Sequence, residues 1–194
     1  MATTGIPTYI VQAVRSPVGK AGRGLAEVHP ADLGAVVIAE LIDRSHIDPG
    51  SVDDVMIGNV DSVGPQAGCL ARTAWLVADM PEHVPGTTID RRCGSSQQAV
   101  HFAAQAIMSG QADVVVAGGI QSMSQVPMMQ AFAVPGDDGF DPFTSSPGWV
   151  KRYGDNRFDQ FDAAERIAER FDITRGDMEA FALESHRRAI AAAA

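Results

Sequence analysis

Apolar positions along the chain follow two spacings, and the spacing changes at glycines and prolines. Thr8–Val14 (TYIVQAV) is a β-branched run that predicts a strand, broken by Arg15-Ser16-Pro17. A glycine-containing loop follows, and Pro30 opens a helix as proline does at a first helical position. Leu33, Val36, Val37 and Leu41 supply its apolar stripe, and Glu40 with Arg44 an i,i+4 ion pair. Asp48-Pro49-Gly50 is a turn, and Asp54–Val60 (DVMIGNV) predicts the next strand. From Gln66 to Asp79 the residues Ala67, Leu70, Ala71, Ala74, Trp75 and Ala78 fall on one helical face. Gly86–Asp90 (GTTID) predicts a short strand. A helix begins at or beside Cys93, carries Ala99, Val100, Ala103, Ala104, Ile107 and Met108, and stops at Gly110. Asp113–Ala117 (DVVVA) is a buried strand ended by Gly118-Gly119, read as a tight turn. Residues 8–119 therefore alternate strand and helix, the signature of a layered α/β domain.

The pattern changes after Met123. Gln125–Asn156 holds four prolines and no period, which predicts a long irregular excursion. Asp162–Phe171 is amphipathic through Ala163, Ala164, Ile167, Ala168 and Phe171. Thr174 and Asp177 form a capping box for a last helix. That helix runs into four terminal alanines with no Gly, Asn or Pro to stop it. The expectation is a chain truncated within a helix.

Composition narrows the class of function. With 194 residues, 45% of them apolar, the chain suffices for one cored domain and part of a second. A formal charge of −9 argues against a nucleic-acid-binding face. The N-terminus lacks the basic and apolar regions of a signal peptide, and no apolar run is long enough to span a bilayer. Two cysteines do not make a stapled secreted domain. The expectation is a soluble protein of the reducing cytoplasm.

Of the residues able to do chemistry, Cys93 has the most informative setting. A short strand leads to a turn, and a helix starts at the cysteine. That places unpaired helical N–H groups and the positive end of the helix dipole near the sulfur, an arrangement suited to a thiolate and to a developing oxyanion. Gly94, Ser95 and Ser96 leave room for an acyl group, and Arg91 and Arg92 add positive charge. On the residues alone, a buried structural thiol remains an equal alternative. Cys69, beside the stripe of the Gln66–Asp79 helix, reads as structural. A nucleophile needs a base, and no histidine supplies one convincingly. His101 lies about 12 Å further along the same helix. His29 and His46 flank the first helix, and His186 sits among charges in the last. His83, in a loop, is the one spatially plausible candidate. No residue cluster has metal-ligand spacing.

Four segments resemble the thiolase family of acyl-CoA acyltransferases. They are VRSPVGK (14–20), GTTIDRRCGSSQQAV (86–100), AGGIQSMSQVP (117–127) and EAFALESHRRA (179–189). The pattern CGSSQQA with FDQFDAAERIAERF is similar to the actinobacterial thiolases of steroid breakdown. The resemblance implies the N-terminal half of a thiolase fold, a layered α-β-α domain with a mixed sheet over residues 1–122. The start of a CoA-covering loop domain would then occupy residues 123–194. It implies an acyl thioester on Cys93, whose backbone N–H also serves as an oxyanion donor. It implies acyl-CoA and coenzyme A as substrates, with no bound cofactor, and a homo-oligomer. Asp159 and Gln160 stand where many members carry His-Met, a position of acyl and CoA contacts. The family's Gly-His-Pro, Cys-x-Gly and Asn-Glu-Ala segments have no match in these 194 residues. The expectation is therefore a nucleophile half that does not turn over unaided, either truncated or completed by a second polypeptide. Two other readings compete: a non-catalytic acyl-CoA or lipid-binding half-thiolase subunit, and an unrelated cysteine hydrolase using His83.

Overall fold

The computed structural model describes residues 5–132, 141–156 and 159–193. Residues 133–140 of the expected excursion, Phe158 and Ala194 lie outside them. The chain divides into two compact units, Met1–Asp137 and Asp138–Ala194.

The first unit is built on three parallel strands, β1 (Asp54–Gly58), β2 (Gly86–Ile89) and β3 (Val115–Gly119), in the order β2-β1-β3. Val55 pairs with Gly86 on one side and with Val116 on the other. The antiparallel member of the implied mixed sheet is not among the described residues. Helices α1 (Pro30–Ser45), α2 (Leu70–Val77) and α3 (Ser95–Met108) cover the sheet. Side chains alternate between the faces of a strand. Val55 and Ile57 of β1 join Ile38, Ile42, Leu70, Ala74 and Trp75 in the buried core. Gly58, one residue on, abuts Ser95 and Ser96 of α3. Helices α1 and α2 thus lie on one face and α3 on the other. Trp75 is fully buried, and its indole N–H donates to the Pro81 carbonyl at 2.9 Å. Asp53 fixes the start of β3: its Oδ2 accepts from the N–H groups of Asp113 (2.7 Å) and Val114 (3.0 Å).

Several elements differ from expectation. Thr8–Val14 forms no strand; it is an extended run whose Tyr9, Ile10 and Val11 are 77%, 81% and 72% exposed. Its sequence suits a strand, but among the described residues no strand pairs with it. The buried face of α1 is Ala31, Gly34, Ala35, Ile38 and Ile42, and Val36 is exposed. Leu33, Val37 and Leu41 instead face a cavity of about 740 Å³ between the free edge of β3 and the extended run. Helix α3 also lines this slot, through Val100, Ala103, Ala104 and Ile107. Helix α2 begins at Leu70 rather than near Gln66, because Gly68 and Cys69 hold left-handed backbone. Gly118 and Gly119 belong to β3 rather than to a turn.

In the second unit the excursion contains a helix, α4 (Pro147–Tyr153), capped by Ser146 Oγ accepting from Trp149 N at 3.3 Å. Trp149 stacks on Phe143 and on Tyr153 with centroids 4.8 and 4.7 Å apart. Helices α5 (Gln160–Arg170) and α6 (Arg175–Ala193) follow. The expected capping box is present: Thr174 Oγ1 donates to Asp177 Oδ2 at 2.6 Å and accepts from Asp177 N at 3.2 Å.

Candidate active site

Cys93 occupies a sharp elbow between β2 and α3. The local sequence builds that elbow almost alone. Asp90 Oδ1 accepts from Arg92 N at 2.8 Å, an Asx turn that folds the chain back as it leaves the sheet. Arg92 then adopts left-handed backbone, φ 50°. Non-glycine residues rarely hold that conformation unless their surroundings enforce it. Ser95, a buried residue, locks the turn: its Oγ donates to the Arg92 carbonyl at 2.6 Å and accepts from Arg91 N at 2.8 Å. The N–H groups of Gly94 and Ser95 bond back to the carbonyls of Arg91 and Arg92, each at 3.0 Å. Gly94 caps α3 without any side-chain bond.

Two glycines set the height of the elbow. A Cβ at Gly58 would lie 2.2 Å from Ser96 N, and one at Gly119 would lie 2.7 Å from Ser96 Cβ. Only bare backbone lets the first turn of α3 sit directly on the C-terminal ends of β1 and β3. The result is an exposed Cys93 thiol beside the start of a helix.

The other expected residues fall as follows. Cys69 is half-buried against the core, and its thiol donates to the Gly86 carbonyl at 3.2 Å, in keeping with a structural role. His83 is exposed, with Nε2 3.0 Å from the Gly50 carbonyl. His29 caps α1 through Nδ1, which accepts from Ala31 N at 3.2 Å. His46 caps the far end of α1, and His101 and His186 lie exposed on α3 and α6. None of the described histidines is hydrogen bonded to Cys93. In the second unit Asp159 caps α5, its Oδ1 accepting from Phe161 N at 2.8 Å, and Gln160 opens that helix. No group of three or more metal-ligand side chains exists among the described residues. No helix among them is long and apolar enough to cross a membrane.

The structure also gathers residues that the sequence did not single out. Gln66, wholly buried, donates to the carbonyls of Val60 and Asp61 at 3.1 Å and accepts from Ser122 N at 2.7 Å. Asn59 donates to the Ile120 carbonyl at 2.8 Å. The Arg92 guanidinium lies over the Phe132 ring, 4.8 Å from its centroid. The Gln66–Ser122 and Asn59–Ile120 bonds join positions about sixty residues apart, and the Arg92–Phe132 contact positions about forty apart, so no local motif announces them. The burial of a glutamine and an asparagine at the strand ends is their visible sign.

A parallel three-layer fold with a cysteine elbow at the strand ends defines an α/β protein with an exposed cysteine at the start of a helix. The family model for the thiolase N-terminal domain matches residues 8–194, and the chain belongs to the thiolase family. It is 54% identical over 185 residues to the steroid 3-ketoacyl-CoA thiolase FadA6 of Mycobacterium tuberculosis, covering 95% of this chain and 46% of that protein. It is 37% identical to a 3-ketoacyl-CoA thiolase of Bacillus subtilis over 95% of this chain and 45% of that one. Among solved structures it is similar to the acetyl-CoA acetyltransferase of Bacillus anthracis. There the TM-score is 0.75 at 34% identity, over 94% of this chain and 46% of that one. The chain spans about half the length of the curated relatives it matches.

Proposed function

We propose that this chain is the acyl-accepting half of a thiolase, taking an acyl group from an acyl-CoA as a thioester on Cys93. The observation that carries the reading is the exposed Cys93 thiol on a strained elbow at the start of α3, in a chain of the thiolase family. The Cys93 thiolate attacks the acyl carbonyl. In thiolysis the C2–C3 bond of a 3-ketoacyl-CoA breaks, acetyl-CoA leaves as its enolate and takes a proton, and the acyl group stays on sulfur. A CoA thiolate then attacks the thioester and releases Cys93. With the Gly94 and Ser95 N–H groups engaged, the N–H of Cys93 is the candidate oxyanion donor. A steroid-type substrate is the reading favoured by the 54% identity to FadA6. Asp159 and Gln160 remain candidates for contacts to CoA.

Protonating the departing enolate and activating the incoming CoA require further groups, and among the described residues no side chain is hydrogen bonded to the Cys93 sulfur. A second polypeptide segment, equivalent to the half of the relatives that this chain does not cover, would supply them. The apolar slot beside β3 supports that part of the reading. It is bounded by an unpaired sheet edge and an extended run, so a strand of the second segment fits it. The exposed Val100, Phe102 and Met108 of α3 favour association between chains.

The test is incubation with acetyl-CoA followed by intact-protein mass spectrometry. One acyl adduct in the native chain, lost in Cys93→Ala, is the expected result. Absence of an adduct, or its persistence in Cys93→Ala, would overturn the reading. Tight acyl-CoA binding with no adduct would favour a non-catalytic binding subunit.

A further inference from the structure

Asp61 is 2% exposed, yet among the described residues it has no cationic partner. Burying a carboxylate is costly unless its oxygens are satisfied. Here main-chain N–H groups satisfy them: Oδ2 accepts from Met129 N at 2.8 Å, and Oδ1 from Ala131 N at 3.4 Å. Asp61 is itself held in place. Its carbonyl accepts from Val63 N at 2.7 Å and from the buried Gln66 amide at 3.1 Å. The segment it grips, Met129–Phe132, carries Phe132 to the Arg92 guanidinium. Arg92 immediately precedes Cys93.

Three links of this chain are strained. Asp61 (φ 55°), Met129 (φ 71°) and Arg92 (φ 50°) all hold left-handed backbone without being glycine. Such residues persist where surrounding contacts over-determine them, and they gather at functional sites. Those three belong to one connected path from the end of β1 to the nucleophile elbow. A neutral asparagine or serine would suffice to accept from one N–H. The two-pronged carboxylate does more, because it fixes both ends of the short turn that presents Phe132.

We propose that Asp61 is a positioning residue for Cys93. Through Met129–Phe132 and the Phe132–Arg92 contact it holds the elbow in the geometry that receives an acyl group. This inference rests on the reading of Cys93 as the acyl acceptor. It does not place Asp61 in contact with substrate.

The test compares two reactions of the same sulfur in the native chain and in Asp61→Ala, Asp61→Asn and Phe132→Leu. One is acylation by acetyl-CoA, which needs a defined approach to a thioester. The other is alkylation by iodoacetamide, which needs mainly exposure. Asp61→Ala is expected to slow acylation roughly tenfold, since small misplacements of a reacting atom are amplified in rate. Alkylation of Cys93 should change by less than about twofold, as its thiol stays exposed. Asp61→Asn, which keeps an acceptor for Met129 N but loses the one for Ala131 N, should fall between Asp61→Ala and the native chain. Phe132→Leu should lose acylation in the same selective way, and it serves as the probe if Asp61→Ala does not fold. Equal loss of both reactions would show a merely structural residue and overturn the proposal. So would unchanged acylation in both Asp61→Ala and Phe132→Leu. A native chain that takes no acyl group would instead overturn the reading of Cys93, and this inference with it.

Discussion

The two cysteines differ in ways that can be measured directly. Cys93 is exposed, whereas Cys69 is half-buried and donates to the Gly86 carbonyl. Iodoacetamide should therefore label Cys93 well before Cys69, which peptide mapping after a short exposure would show; equal labelling would contradict the elbow. Asp53 gives a second prediction at this scale. Its carboxyl is held below the ordinary value of 3.8, first by the Val114 N–H, next by that of Asp113, with slight burial opposing. A depressed folded pKa adds stability that is complete above the unfolded value and disappears as pH falls through the folded one. Asp53→Asn should thus be less stable than the native chain at neutral pH, and the difference should shrink below about pH 4. Denaturant titrations at several pH values would reveal a constant gap if the two N–H bonds contribute nothing. Cys93 and its strand-turn-helix setting were legible in the sequence because Asp90, Arg92 and Ser95 form the elbow locally. Asp61 and Phe132 were not, since their partners lie far away in the chain and no spacing encodes them.

At the scale of elements, propensity predicted the helices well and the outer strand poorly. Pro30, Gly110 and the Thr174–Asp177 box mark helix ends by local chemistry, and the structure follows them. The Ser146-Pro147 pair carried the same kind of signal for α4, hidden by the prolines around it. Thr8–Val14 shows the limit of such reasoning: a strand exists by pairing, and its partner is not written in its own residues. The stripe of Leu33, Val37 and Leu41 misled similarly, for all three line the slot and only Leu41 also packs against the core. The free edge of β3 makes this testable. The bonds Asp53 N to Val114 O and Ile120 N to Gly58 O set the even-numbered residues of β3 toward β1. Val115, Ala117 and Gly119 consequently direct their N–H groups into the slot. Their amides should exchange with solvent faster than those of Val116 and Gly118, and uniform protection would contradict an open edge. Gly58 supplies a second test. Gly58→Ala would drive a methyl into the backbone of Ser95 and Ser96. It should destabilise the chain by about 1–3 kcal/mol and depress Cys93 acylation along with it. An unaffected melting curve would mean that α3 does not rest on β1 as described.

For the molecule as a whole, the first unit presents an exposed cysteine on a sharp elbow and an apolar slot beside the free edge of β3. On the proposed reading that cysteine is the acyl acceptor, and the slot beside β3 is where further polypeptide would pack. Cys93 would then accept an acyl group but, without that further polypeptide, not pass it on. Release of free CoA from acetyl-CoA, quantified chromatographically after the protein is removed at successive times, tests both parts at once. A burst of one CoA per chain that then stops, absent in Cys93→Ala, is the expected result. No burst would contradict the nucleophile, and steady release beyond one equivalent would contradict the dependence on a second segment.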